Sequence, residues 1–224
     1  MPIRTIVFAK APQPGFAKTR LIPALGSRGA ARLARHMLER TLDSALRARS
    51  GPVELCVAPD IDASPWHEVS LPAGIAITSQ GGGNLGERMA RTAARVIEGG
   101  DAALLIGTDC LEMGPRLLRA AAVALGRTGT LLHPTVDGGY AILGLTRYRP
   151  ELFTDIAWGG ETVADETVAR IVRLGWPLVI GATLHDIDEP ADLSLLAVSG
   201  PPHAAERRSA GVRNPDPSPT MSRR

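Results

Sequence analysis

The chain has 224 residues, 44 % of them hydrophobic and 21 % charged, which suits one packed α/β domain near the soluble globular average. No run approaches the roughly 18 apolar residues that cross a membrane, and the start Met1-Pro2-Ile3-Arg4 has no signal-peptide pattern, so a cytoplasmic protein is expected. The net charge of +2 comes from the stretch after Val198, where five arginines face only Glu206 and Asp216; no basic stripe interleaved with aromatics argues for nucleic acid.

Apolar runs of strand length alternate with helical patterns. Thr5–Ala9 reads as a first buried strand, followed by a Pro-, Gly- and Lys-rich loop from Lys10 to about Gly26. Gly29–Leu46 has helical spacing of Leu33, Met37, Leu38, Leu42 and Leu46. Val53–Ala58 is a second strand and Ile75–Thr78 a short third; Leu85–Ile97 is a helix. Ala102–Ile106, wholly apolar, fits a central parallel strand covered on both faces. Pro115–Leu125 is a helix with proline in its first turn, where a missing N–H costs nothing. Strands at Thr130–His133 and Ala141–Leu145, a helix at Glu161–Leu174, strands at Leu178–Ile180 and Thr183–Asp186, and a helix at Pro190–Val198 complete the body. This alternation predicts a mainly parallel, doubly wound sheet in one domain of residues 1–198, with 199–224 a disordered basic tail.

In open parallel sheets ligands bind beyond the carboxyl ends of the strands. Four segments follow strands and carry chemistry. Lys10 to Leu21 (KAPQPGFAKTRL) sets Lys10, Lys18 and Arg20 around Gly15; cations balance phosphate oxygens and glycine lets backbone come close. Asp109, in Gly107-Thr108-Asp109-Cys110, stands at the mouth of the most apolar strand, the usual place for a carboxylate ligand of Mg²⁺ or Mn²⁺ beside a diphosphate. Asp137-Gly138-Gly139-Tyr140 reads equally as a tight turn or a ligand loop. Asp186-Ile187-Asp188-Glu189-Pro190-Ala191-Asp192 has acids leaving a strand, with Asp192 suited to capping the last helix. Gly81, Gly83 and Gly86 satisfy G-x-G-x-x-G, but they do not follow a first strand and the expected acid at the end of the next strand is misplaced, so a dinucleotide fold is not read here. Cys56 and Cys110 have no zinc or disulfide spacing and read as buried small hydrophobes. Among the histidines, only His133 and His185 end strands.

The segments FAKAPQPGFAKTRL (Phe8–Leu21), LGERM (Leu85–Met89), GTDC (Gly107–Cys110), DGGYAILGL (Asp137–Leu145) and DIDEPADL (Asp186–Leu193) together resemble the radical-SAM/selenodomain-associated transferases, also described as arsenosugar-biosynthesis-type glycosyltransferases. That resemblance implies a three-layer α/β/α, Rossmann-like fold of the nucleotide-diphospho-sugar transferase (glycosyltransferase-A) type. It implies a divalent metal, Mg²⁺ or Mn²⁺, held by Asp109 with Asp186 or Asp188. Asp109, Lys18 and Asp137 would carry catalysis, with His133 a second candidate base. Lys10, Gly15, Lys18, Arg20, Asn84 and Arg88 would hold the nucleotide and its phosphates, and Gly138, Gly139, Tyr140 and Trp158 the second substrate. The reaction implied is glycosyl transfer from a nucleotide-diphospho-sugar to a small acceptor; nucleotidyl transfer from a nucleoside triphosphate, of the guanylyl or cytidylyl kind, and catalytically silent nucleotide binding are the alternatives. Three departures stand out. Leu111-Glu112 follow GTDC where proline is usual, Asn84 precedes LGERM where aspartate is usual, and Trp158-Gly159-Gly160-Glu161-Thr162 replaces a Trp-Ser-Thr-like stretch.

Overall fold

A computed structural model describes residues 1–63, 66 and 69–198; the expected tail at 199–224 lies outside them. Seven strands form one sheet: β1 (Ile3–Lys10), β2 (Val53–Ala58), β3 (Ala76–Ser79), β4 (Ala102–Ile106), β5 (Thr130–Pro134), β6 (Tyr140–Leu145) and β7 (Val179–Ile180). Their spatial order is β3-β2-β1-β4-β6-β5-β7. All neighbours pair in parallel except β6, which runs antiparallel to both β4 and β5. Five α-helices accompany the sheet: α1 (Ile22–Ala48), α2 (Leu85–Glu98), α3 (Pro115–Thr128), α4 (Val163–Arg173) and α5 (Leu193–Val198). None is long and apolar enough to cross a membrane.

The strand sequences show why two helical layers are needed. Along β1 and β4, successive apolar side chains alternate between faces. Val7, Leu104 and Ile106 pack with α1 and α3, whereas Ile6, Ala103 and Leu105 pack with α2 and α4. A strand apolar on both faces must be covered on both, which yields the expected three layers. The helix ends are set by local chemistry. Pro115 opens α3, and Gly129, at φ 88°, closes it by donating its N–H to the Leu125 carbonyl. Asn84 and Glu87 form a reciprocal capping box at the start of α2.

A third apolar cluster ties the loops together. Leu21 after β1, Ala30 and Met37 of α1, Leu111 after β4 and Ile187 are buried, with Leu193, Leu195 and Leu196 of α5 packed against them. Leu111, one of the unusual residues, thus fills a core position, and its carbonyl accepts from Arg40 of α1 at 2.6 Å.

The largest differences from the sequence reading are at the long helix and at the last expected strand. The long helix begins at Ile22, seven residues earlier than expected, but it is broken at Gly26, whose φ of 68° and ψ of 162° are not helical. The strand expected at Thr183–Asp186 is not one. The segment makes two single bridges, Thr135 with Leu184 and Cys110 with Asp186, as it crosses the sheet end from β5 back to β4. A chain crossing the ends of strands cannot hold a ladder with either.

Candidate active site

The strand order reverses direction between β1 and β4, since β1 leads outward through β2 to β3 on one side while β4 lies on the other. Such a switch point opens a crevice at the strands' carboxyl ends. A cleft of about 540 Å³ lies there. Lys10 and the Phe16–Arg20 loop reach it from β1, and Gly107 to Cys110 from β4. The start of the antiparallel β6 lies at the same edge, since Ile142 pairs with Ile106; this brings Asp137, Gly139 and Tyr140 to the cleft.

Lys18 pins three of these segments together. Its Nζ donates to Asp109 Oδ1 at 2.6 Å and to the Ile187 carbonyl at 2.6 Å. The lysine side chain is only 5 % exposed, whereas that of Asp109 is 52 % exposed. Its backbone is left-handed, at φ 47°, a conformation costing a non-glycine residue about 1 kcal/mol. Loop, strand end and crossing segment are therefore locked in one arrangement around a desolvated ammonium.

Alternation explains the acids on the crossing segment. Ile187 is fully buried in the loop cluster, so its neighbours Asp186 and Asp188 turn the other way and line the cleft. Asp188 accepts from Arg20 at 3.2 Å, an exposed pair worth a few tenths of a kcal/mol. Asp192 accepts from the N–H groups of Asp188 and Glu189, at 3.0 and 2.7 Å, as the third helical residue of a capping box in which Glu189, and not Asp192 as expected, is the cap. Burial first, then the charges of Asp137, Asp188 and Asp192, push the Asp186 carboxyl up to about 6. Asp137 Oδ1 accepts from Thr135 Oγ1 at 2.5 Å and from the Gly139 N–H at 3.0 Å, which leaves Oδ2 without a partner among the described residues.

The segment Asp137-Gly138-Gly139 is a turn that borders the cleft. Gly138, at φ 87°, has no room for a side chain, because a Cβ would collide with the Glu161 backbone before α4. It serves packing and does not line the cleft, unlike Gly139, Tyr140 and Trp158.

Four other residues of the sequence reading, Gly15, Asn84, Arg88 and His133, stand outside the cleft wall. Gly15, at φ 85°, makes the turn before Phe16 but does not line the cleft. Asn84 and Arg88 are also outside its wall. The Asn84 side chain is committed to the Glu87 N–H at 3.0 Å, and Arg88 donates to the Gly83 carbonyl at 2.8 Å and to Gln80 Oε1 at 3.4 Å. His133 is buried, with its ring filling the space over Gly181 and Nδ1 3.0 Å from the Ala182 carbonyl, so it is a packing residue rather than a base. Burial and the surrounding carboxylates, Asp109 foremost, push the Cys110 thiol up, which removes it as a nucleophile. His185 pairs at 2.7 Å with Glu112, the second unusual residue.

The structure also brings in residues that the sequence did not single out. Gln80 is buried at the end of β3, with Nε2 donating to the carbonyls of Ala9 and Cys56 at 3.1 and 2.9 Å; its amide orientation is set by β1 and β2, and it lines the cleft. Phe16, Leu85 and Met89 line it too.

Among the described residues no three His, Cys, Asp or Glu side chains stand together as a finished metal centre. The donors at the cleft nevertheless suit a hard cation. They are carboxylates, and burial, with the charges of Asp137, Asp188 and Asp192 added, raises the proton affinity of Asp186. Asp109, Asp186 and Asp188 all line the cleft, Asp109 paired with Lys18 and Asp188 with Arg20.

Residues 41–160 match the family described as "Uncharacterized protein conserved in bacteria (DUF2064)". The chain belongs to this family. A comparison with curated proteins finds no match. The DUF2064 protein is similar in structure to a candidate nucleotide-diphospho-sugar transferase from Desulfovibrio desulfuricans G20, with TM-score 0.82 and 28 % identity over 93 % of this chain and 91 % of that one. Rv0371c from Mycobacterium tuberculosis H37Rv, solved in complex with manganese, shares the fold at TM-score 0.51 and 20 % identity, covering 88 % of this chain and 98 % of that one. So does CMP:2-keto-3-deoxy-manno-octonic acid synthetase complexed with CTP, at TM-score 0.52 and 10 % identity, covering 88 % and 98 %. The fold is therefore that of nucleotide-diphospho-sugar transferases and nucleotidyltransferases, and the resemblance supports a transferase.

Proposed function

We propose that this DUF2064 protein is a metal-dependent transferase that takes a nucleotide-diphospho-sugar and passes the sugar to a small acceptor. The Lys18–Asp109 pair at the β1/β4 switch point carries the reading. It places a desolvated cation and a half-exposed carboxylate where a diphosphate would lie, flanked by Lys10 and Arg20.

Lys10, Lys18 and Arg20 would bind the diphosphate oxygens and offset the negative charge that grows as the diphosphate leaves; fixed charges of this kind contribute several kcal/mol. Asp109 and Asp186 would hold Mg²⁺ or Mn²⁺, which when bound supplies further charge neutralisation at the same oxygens. Asp137, through its unpartnered Oδ2, would take the proton of the acceptor hydroxyl as that oxygen bonds to the anomeric carbon and the sugar–diphosphate bond breaks. The motif resemblance to radical-SAM/selenodomain-associated transferases and the manganese complex of Rv0371c support this reading.

Nucleotidyl transfer is the second reading, favoured by the likeness to a synthetase complexed with CTP. The same cations would then serve attack on an α-phosphate with pyrophosphate leaving. A thermal-shift panel of nucleoside diphosphates, nucleotide sugars and nucleoside triphosphates, each with and without Mn²⁺ or Mg²⁺, separates the two. A metal-dependent shift with a diphosphate or its sugar is expected. A shift with triphosphates alone replaces glycosyl by nucleotidyl transfer, and no shift with any of them removes the phosphate site.

A further inference from the structure

The cleft has two chemically different halves. One end carries Lys10, Lys18, Arg20 and the aspartates. The other is walled by Leu85 and Met89 of α2, by Tyr140 at the start of β6 and by Trp158 before α4. Leu85 is 48 % exposed, and Phe16, on the loop that also carries Lys18, is 72 % exposed; both line the same cleft. Large apolar side chains at the mouth of an otherwise charged crevice have no folding reason to be there, because burying them elsewhere would stabilise the chain.

Trp158 is held in place with unusual specificity. Its indole lies directly against Gly86, the second residue of α2, where any Cβ would collide with the ring. Glycine inside a helix costs about 1 kcal/mol relative to alanine. Here the missing side chain creates the seat for the indole and pins the segment before α4 to α2. Tyr140 is likewise tied to α2, its hydroxyl donating to Met89 Sδ at 3.7 Å. Burial raises that hydroxyl's proton affinity, so it stays neutral. The Tyr140 hydroxyl is thus committed within the protein, and apart from the Trp158 indole N–H what the wall offers a ligand is mostly carbon.

The geometry points to a second substrate that presents a ring or other apolar face, not a polyol, to the wall of Leu85, Met89, Tyr140 and Trp158, with Gly86 as the residue that sets the wall. This rests on the preceding assignment of the opposite end of the cleft to the diphosphate. The ring would lie against the Trp158 indole in the offset or edge-on manner of aromatic pairs, and its hydroxyl would face Asp137.

The test uses full-length protein labelled with ¹⁵N-tryptophan. Its three tryptophans, Trp66, Trp158 and Trp176, give three indole N–H signals, and Trp158→Phe identifies the one that matters. Benzyl alcohol is expected to move that signal saturably, while glucose at the same concentration leaves it in place. Gly86→Ala, which displaces the ring, and Trp158→Ala, which removes it without adding volume, should each weaken benzyl alcohol by roughly tenfold, measured by calorimetry. Trp158→Phe should restore most of the affinity. Glucose moving the signal while benzyl alcohol does not, neither moving it, or unchanged affinity in the folded variants overturns the inference. Thermal shifts with metal and nucleoside diphosphate are recorded on the same samples. If they persist while ring binding fails, the ring inference alone falls; if they are absent while the ring binds, the nucleotide assignment alone falls.

Discussion

The two partners of the Lys18–Asp109 pair should respond very unequally to mutation. Removing the carboxylate by Asp109→Ala leaves a nearly buried ammonium with one acceptor, the Ile187 carbonyl. Stripping a partner from a buried ion costs about 3–5 kcal/mol. Because Asp109 is 52 % exposed, water can enter the vacated space, so about 2 kcal/mol is expected. Removing the ammonium by Lys18→Met leaves a carboxylate already half in water and keeps most of the aliphatic packing. The cost should be about 0.5–1 kcal/mol. For a chain of this size, 1 kcal/mol corresponds to about 2–4 °C in Tm. Asp109→Ala should therefore melt about 4–8 °C low and Lys18→Met no more than about 4 °C low, with urea midpoints moving in the same order at constant slope. A Lys18→Met variant as unstable as Asp109→Ala would refute the view that the lysine, and not the aspartate, is the desolvated member. In a second comparison at the same position, Lys18→Gly should be about 1 kcal/mol more stable than Lys18→Ala, because only glycine adopts the left-handed backbone without strain.

Gly138→Ala drives a methyl into the Glu161 backbone at a positive φ; a loss of about 3 kcal/mol or more is expected in urea unfolding, and a loss below 1 kcal/mol would show that the loop can yield. Asn84→Ala should cost about 1 kcal/mol by removing the cap of α2, while leaving nucleotide-induced thermal shifts unchanged; weakened nucleotide binding in a folded variant would restore Asn84 to the site. Asp186 has a folded-state pKa of about 6 against an ordinary 3.8, so it adds stability below about pH 4 that is lost as pH rises through 6. Asp186→Asn should accordingly stabilise the metal-free protein by about 1.5 kcal/mol at pH 7, after halving for solvent screening, with the gain vanishing near pH 4. A gain independent of pH would show that charge is not the cause.

Strands β2 and β4 have the limits read from the sequence, Val53–Ala58 and Ala102–Ile106, because unbroken apolar runs bounded by loop residues leave little choice. The cleft residues after strand ends, Lys10, Lys18, Asp109, Asp137 and Asp186, were legible for a related reason: polar side chains have no hydrophobic cause to stand at the mouth of a buried strand. Less was legible where one residue can serve two purposes. Asn84 followed three residues later by Glu87 is a capping box in the sequence itself, and that local reading describes its contacts better than a ligand role does. The packing of His133 and Gly138 was hidden because their neighbours, Gly181 and Glu161, lie far along the chain. Gly86 looked like part of a phosphate-binding pattern, and only the packed Trp158 reveals its purpose. The pairing of Lys18 with Asp109 was invisible too, since a sequence indicates that two charges share a site without saying which one is desolvated.

Lys18 is bonded across 91 residues to Asp109 and across 169 to Ile187. A contact of that span forms only after the intervening chain has been made and folded. The cleft is therefore among the last parts of the molecule to exist during synthesis. A nascent chain ending between Ile106 and Ile187 contains the sheet's centre, β1 and its partner β4, yet lacks the carbonyl that seats the lysine. Ligand competence would appear abruptly when the final crossing segment closes, making nucleotide binding a sensitive reporter of complete folding.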